Sequence, residues 1–154
     1  MPENSRVWVY QSNREFSPSE TNEIIEAATE FVSGWTAHDN KLKASFDVRY
    51  NRFVILSVDE SQAGASGCSI DKSLKFIKDL EEHFKVKLLD RMAFAYKKNE
   101  KVHSCSSVEF GNMVEEGLLN DYTTVYNNLV SNIADLKSKW EVPLKDSWHK
   151  QFVG

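Results

Sequence analysis

The most constraining feature of this sequence is a nearly uninterrupted apolar run about a third of the way along the chain. Residues 53–58 read FVILSV and lie between Arg52 and Asp59. A short apolar run rich in β-branched residues is typical of a central β-strand. Residues 42–50, just before it, alternate apolar and polar side chains, which is the period of a half-buried strand. Asn51 and Arg52 between the two segments predict a tight turn.

The rest of the chain predicts further strands and helices. Ser17 and Glu20 form a capping box around Pro18, which starts a helix. The predicted helices cover residues 18–33, 70–84 and 121–139, and a short helix is capped by Ser107 and stops at Gly117. The further strands are residues 6–11, 93–97 and 102–105. This order predicts an α+β domain with a mostly antiparallel sheet of about five strands. It starts as a ferredoxin-like βαββαβ unit and continues with an extra C-terminal strand and helices.

Length, charge and cysteine content limit what the protein can be. With 154 residues, 41% hydrophobic and 27% charged, the chain has the size and composition of one globular domain, residues 1–154. Its net charge of −4 argues against a nucleic-acid partner, which would need a basic face. No segment resembles a membrane span or a signal peptide. The two cysteines, Cys68 and Cys105, make no disulfide framework, so we expect reduced thiols in a cytoplasmic protein.

One loop carries the residues best suited to a site. Gly67, Cys68, Ser69, Ile70 and Asp71 connect the apolar strand to the second predicted helix. Free amides at a helix start attract anions and stabilise a thiolate. Cys68 is therefore a candidate nucleophile that Asp71 or a distant histidine would orient or activate, while Gly67, Ser69 and Ile70 would bind the ligand. The alternative is a plain strand-to-helix connection in which Ser69 caps the helix.

Nucleotide and metal sites find little support in the sequence. Lys72 and Ser73 end the loop as in a P-loop, but the two glycine positions of that motif hold Ser66 and Asp71. The four histidines are far apart in sequence, and neither CxxC nor HExxH occurs. We therefore expect no cofactor and no metal.

Three stretches carry a resemblance to a known family. Residues 6–14 (RVWVYQSNR), residues 52–53 (RF) and residues 66–73 (SGCSIDKS) resemble those of a family of short, uncharacterised bacterial proteins. Some of its members are labelled ABC-transporter ATPases. The resemblance implies a bacterial cytoplasmic protein and no particular chemistry.

The sequence leaves the function open among three hypotheses. The first is a non-enzymatic binding or interaction module for an unknown protein partner. The second is a small thiol-dependent enzyme that uses Cys68 at a helix N-terminus. In the third, the amides of residues 67–70 hold a small anionic ligand without chemistry.

Overall fold

A computed structural model describes residues 1–153 of the chain, and these residues form an α+β structure. Two helices, two stacked sheets and a further helical layer follow one another across the molecule. The elements in chain order are β1 (Arg6–Gln11), α1 (Pro18–Gly34), β2 (Thr36–Ala37), β3 (Asn40–Lys41), β4 (Lys43–Arg49), β5 (Phe53–Asp59), α2 (Gly67–Phe84), β6 (Ala93–Lys98), β7 (Lys101–Ser106), α3 (Ser107–Glu115), β8 (Thr124–Tyr126), α4 (Ile133–Ser138), β9 (Glu141–Pro143) and the 3-10 helices Leu144–Asp146 and Trp148–Phe152.

The first sheet is built around the apolar run. Its strands lie in the order β1-β5-β4, and both pairings are antiparallel. Every residue of β5 is buried, which confirms the prediction of a central strand. Because side chains alternate between the faces of a strand, β5 supplies core residues to both sides of the sheet.

Helices α1 and α2 cover one face of this sheet. Ile24 of α1 and Ile77 and Leu80 of α2 lie in one buried cluster with apolar residues of β5. The predicted capping box at the start of α1 is present, since Ser17 Oγ accepts from Glu20 N and Glu20 Oε1 accepts from Ser17 N.

The second sheet packs against the other face of the first. Its strands lie in the order β7-β6-β8-β9. Between the sheets lies an aromatic group in which Phe53 of β5 contacts Tyr126 of β8 and Trp140, with ring centroids 5.1 and 4.9 Å apart. Helix α3 and the C-terminal 3-10 helices cover the outer face of the second sheet, where Phe110 and Leu144 are fully buried.

The fold class is as predicted, but the ferredoxin-like arrangement does not form. In that arrangement β6 would pair with the free edge of β1. Instead β6 belongs to the second sheet, and at β1 the amide of Val7 donates to Ser131 O at 3.0 Å. The connection after α2 explains the difference, because Lys87 exchanges two hydrogen bonds with Asn13 and is thereby held at the end of β1. The chain then continues into the second layer.

The predicted helix over residues 121–139 is wrong. This segment contains β8, an irregular stretch, and only the short helix α4. The side chain of Asn127 accepts from the amide of Leu129, and that of Asn132 caps α4 by accepting from Asp135 N. Asparagine side chains that bond nearby backbone in this way compete with a continuous helix.

Candidate functional site

The start of α2 is capped by Ser66, not by Ser69 as the sequence suggested. Ser66 Oγ accepts from Ser69 N at 3.2 Å, and Ser69 Oγ accepts from Ser66 N at 2.6 Å. Ser69 is also completely buried. Its hydroxyl is therefore engaged in the capping box and is not free to bind a ligand.

The other loop residues contribute less to a ligand site than the sequence suggested. The amide of Ile70 already donates to Ser66 O at 2.9 Å. A β-carbon on Gly67 would meet no atom within 4 Å, so this glycine makes no close approach to another part of the chain. Asp71 is exposed on the helix surface. Of the first turn, the amides of Gly67 and Cys68 are left without a partner among residues 1–153.

The two cysteines occupy different environments. Both are free, and Cys68 is exposed at the second residue of α2. Cys105 lies in β7 and is half-buried. Burial, with a contribution from the nearby Glu109 carboxylate, raises the pKa of the Cys105 thiol to about 12. At neutral pH this thiol stays protonated, so Cys68 is the more reactive candidate of the two.

A small hairpin that the sequence did not reveal lies against the start of α2. It consists of β2 and β3, and Trp35 just before it donates from Nε1 to Ser69 O at 2.8 Å. Lys72 Nζ donates to Thr36 Oγ1 at 3.3 Å. His38 occupies the turn of this hairpin with a positive φ of 50°. The only sequence signal for it is the polar tripeptide after Ala37, which is too short for a reliable strand prediction.

A broad concave surface lies elsewhere, between α1 and α2. This α1–α2 groove has a volume of about 1070 Å³ and opens to solvent. Its floor is apolar, and Phe31 of α1 stacks on Phe76 of α2 with ring centroids 4.5 Å apart and planes 4° apart. Ala27 and Leu80 complete the floor. The sequence pattern placed all four residues on helices but could not show that the two helices are neighbours.

The walls of the α1–α2 groove are acidic. Five carboxylates line it against a single lysine, Lys85, and one histidine, His83. Three of the carboxylates stand on α1 at spacings of three and four residues, and so share one side of that helix. The five are Glu23, Glu26, Glu30, Asp79 and Glu82.

One end of the α1–α2 groove is braced by Arg14. Its guanidinium makes two hydrogen bonds of 2.8 Å to the Glu20 carboxylate on α1 and donates to Phe84 O at the end of α2 at 2.6 Å. The arginine, helped by the Ser17 amide, lowers the pKa of Glu20 to about 2. Arg14 thus joins the two helices.

No protein-family model, curated protein or solved structure matches the chain. Among residues 1–153, no three His, Cys, Asp or Glu side chains cluster closely enough to hold a metal ion. Within the same residues, no helix has both the length and the apolar character needed to cross a membrane.

Proposed function

We propose that the protein is a non-enzymatic interaction module whose α1–α2 groove binds a basic, amphipathic helical segment of a partner protein. The observation that carries the proposal is the pairing of an aromatic floor with acidic walls. An amphipathic helix binds a groove of this kind through apolar side chains on one face. Lysine or arginine side chains flanking that face would reach the carboxylates on either wall.

The acidic walls have no evident role in the stability of α1. Glu26 and Glu30 are four residues apart, a spacing at which like charges destabilise a helix. Glu30 also lies in the C-terminal half of α1, where the helix dipole disfavours negative charge, and α1 contains no lysine or arginine. Residues that oppose local stability in this way are expected at functional sites.

The groove floor has the properties of an anchor site. Phe31 and Phe76 are only partly buried, although they pack against the core on their inner side. A partner that covers them would gain about 25 cal/mol of binding free energy for each Å² of apolar surface removed from water. The acidic rim would then favour basic partners over neutral or acidic ones.

Peptide binding tests the proposal directly. The probe is a fluorescent synthetic peptide of about 16 leucine and lysine residues in a helical amphipathic pattern, measured by anisotropy. The control peptide has the same composition in scrambled order. We expect the patterned peptide to bind more tightly than the scrambled one, and its affinity to fall as salt is raised.

A matched pair of variants assigns the binding to the α1–α2 groove. Glu26→Gln with Glu30→Gln should weaken binding by roughly fivefold to thirtyfold, from about 1–2 kcal/mol of lost charge interactions. Glu115→Gln with Glu116→Gln makes the same charge change at α3 and should leave the affinity unchanged. Equal affinities of the two double variants, or equal binding of both peptides, would refute the proposal.

A second candidate function is thiol chemistry at Cys68. It is favoured by the exposure of Cys68 at the second residue of α2, the end of the helix against which the β2–β3 hairpin lies. A catalytic thiol would react with iodoacetamide faster than glutathione does at neutral pH. His38→Gln would slow the reaction if the imidazole assisted. A rate equal to that of glutathione, unaffected by His38→Gln, would exclude this candidate.

A further inference from the structure

The two main sheets have four edge strands, and three of them are protected against pairing with another chain. Strand β9 is only three residues long and ends in Pro143. Strand β4 carries the exposed Asp47 and the partly buried Arg49, joined by an ion pair. Strand β1 is partly covered, because Val7 bonds to Ser131 beside it. Short length, proline, charge and covering segments are the usual means of protecting a sheet edge.

Strand β7 lacks this protection. It is six residues long, contains no proline, and has no Asp, Glu, Lys or Arg after Lys101. It joins β6 through a two-residue turn in which Asn99 and Glu100 have φ of 54° and 64°. Left-handed residues at both positions define the type I′ turn of a tight hairpin.

The hairpin register determines which backbone groups of β7 face outward. Lys98 pairs with Lys101 across the turn, so the peptide groups of residues 101, 103 and 105 bond to β6. The N–H and C=O groups of the alternating residues Val102 and Ser104 point to the open edge. Within residues 1–153 they have no hydrogen-bond partner. Ser106 also faces outward, but its amide donates to Glu109 in the capping box of α3.

We propose that the protein forms a homodimer in which β7 pairs antiparallel with β7 of a second copy, about a two-fold axis at His103. In this register Val102 lies opposite the partner's Ser104, and each bonds the other through both N–H and C=O. The two four-stranded sheets become one continuous sheet. A two-fold axis uses the same edge on both copies, so neither edge remains open.

Charge complementarity favours a second copy as the occupant of this edge. Lys101 lies opposite the partner's Cys105 in the proposed register. The side chains of these two residues lie on the same face of the sheet, which is the face that α3 covers. Glu109 in the first turn of α3 lies close enough to Cys105 to influence its thiol. Lys101 of each copy is thereby placed beside Glu109 of the other, and neither residue forms an ion pair within residues 1–153 of its own chain.

Hydrogen exchange combined with sedimentation tests the dimer on the unmodified chain. We expect a mass twice that of one chain at high concentration, which falls on dilution. The amides of Val102 and Ser104 should be protected at high concentration and should exchange freely on dilution, whereas the amide of His103, bonded to β6, stays protected throughout. A single-chain mass at all concentrations, with freely exchanging Val102 and Ser104 amides, would overturn the proposal.

Two substitutions at one position separate edge pairing from side-chain effects. Ser104→Pro removes an outward-facing amide, whereas Ser104→Ala keeps the amide and removes only the hydroxyl that accepts from Gln11 Nε2. We expect Ser104→Pro to be a monomer and Ser104→Ala a dimer. A Ser104→Pro protein that is folded by circular dichroism and still dimeric would contradict the proposed interface. If this variant does not fold, the exchange data on the unmodified chain decide.

Charge reversal tests the register. Lys101→Glu should weaken the dimer about tenfold, because two contacts between opposite charges become repulsive. Lys41→Glu makes the same change in the β2–β3 hairpin and should have no effect. Equal dissociation constants for the two variants would show that the chains do not pair in this register.

Discussion

Arg14 connects the start of α1 with the end of α2, and its contacts lead to a prediction about pH. Its partner Glu20 accepts two hydrogen bonds from the guanidinium and also bonds the Ser17 amide. These interactions favour the charged carboxylate, so the pKa of Glu20 falls from near 4.5 to about 2. The stabilisation is complete above the unfolded pKa and is lost as pH falls through the folded one.

Glu20→Gln isolates this contribution. Glutamine preserves the capping box but removes the charge. We expect the variant to be less stable than the parent in urea unfolding at pH 7, with the difference shrinking as pH falls from about 4.5 towards 2. Glu3→Gln is a control at an exposed carboxylate that the structure does not pair. A difference for Glu20→Gln that does not change with pH would contradict the role assigned to Arg14.

Gly67 provides a second test at the scale of single residues. It is the first residue of α2, and an added β-carbon would meet nothing within 4 Å. Because alanine restricts the unfolded chain more than glycine does, Gly67→Ala should stabilise the protein by about 0.4–1 kcal/mol in urea unfolding. Destabilisation would show that this position requires glycine.

The three longer helices show what the sequence can specify about helix starts. All begin with a serine whose hydroxyl accepts from the amide three residues later. The sequence located the cap of α1 because Pro18 follows Ser17. At α2 and α3 several serines compete, and the sequence suggested Ser69 and Ser107 where the structure uses the serines three and one residues earlier. At α3 Ser106 and Glu109 have the capping-box spacing, so the sequence did contain the signal. At α2 the third helical residue is Ser69, and only its reciprocal bond to Ser66 identifies the cap.

Among the elements, the segment from β8 to β9 shows where a periodic pattern fails. Apolar residues recur every three or four positions from Tyr122 to Trp140, yet Tyr122 is 76% exposed and Leu129 58% exposed. The buried residues of this series lie in different elements: Tyr126 in β8, Leu136 in α4 and Trp140 just before β9. Strands β1, β4 and β5 were predictable because their apolar residues follow the period of two or form a continuous run. The α1–α2 groove could not be predicted in the same way, because it forms where two helices far apart in the sequence pack together.

The C-terminal 3-10 helix Trp148–Phe152 depends on a neutral imidazole. His149 is 1% exposed, its Nδ1 bonds Ser147 Oγ, and its ring contacts Phe94 and stacks on Trp148. Burial lowers the pKa of His149 from 6.5 to about 4. Protonation therefore favours the unfolded state, and stability is lost as pH falls from 6.5 towards 4.

We expect the free energy of unfolding to decrease by roughly 1 kcal/mol per pH unit in this window, because one pKa unit corresponds to about 1.4 kcal/mol. His149→Gln removes the titration and should flatten the pH dependence, even if it lowers stability at neutral pH. Trp148 fluorescence should report the loss of packing in the parent chain. A parent and variant with parallel stability profiles between pH 6.5 and 4 would contradict this account.

At the scale of the whole molecule, a chain of polar side chains crosses the boundary between the two sheets. Gln11 at the end of β1 donates to Ser104 Oγ of β7 and accepts from Asn128 Nδ2 at 2.8 Å. Asn128 Oδ1 in turn accepts from the indole Nε1 of Trp140 at 2.9 Å. Trp140 is 1% exposed and belongs to the aromatic group between the sheets. Buried polar networks of this kind are stabilising only when every member is satisfied.

Asn128→Ala should therefore weaken the contact between the sheets. It leaves the buried Trp140 Nε1 without an acceptor and Gln11 without one of its partners, at a cost of about 1–3 kcal/mol in urea unfolding. Trp140→Phe removes the indole donor and has its own packing cost. In a Trp140→Phe background, Asn128→Ala should lower the free energy of unfolding by about 1 kcal/mol less than in the parent, because the indole N–H that Asn128 accepts from is already absent.

Both sheets should still unfold in one transition, since β5 contributes to the cores on both of its faces. Strictly additive effects of the two substitutions would show that the Asn128–Trp140 bond does not hold the sheets together.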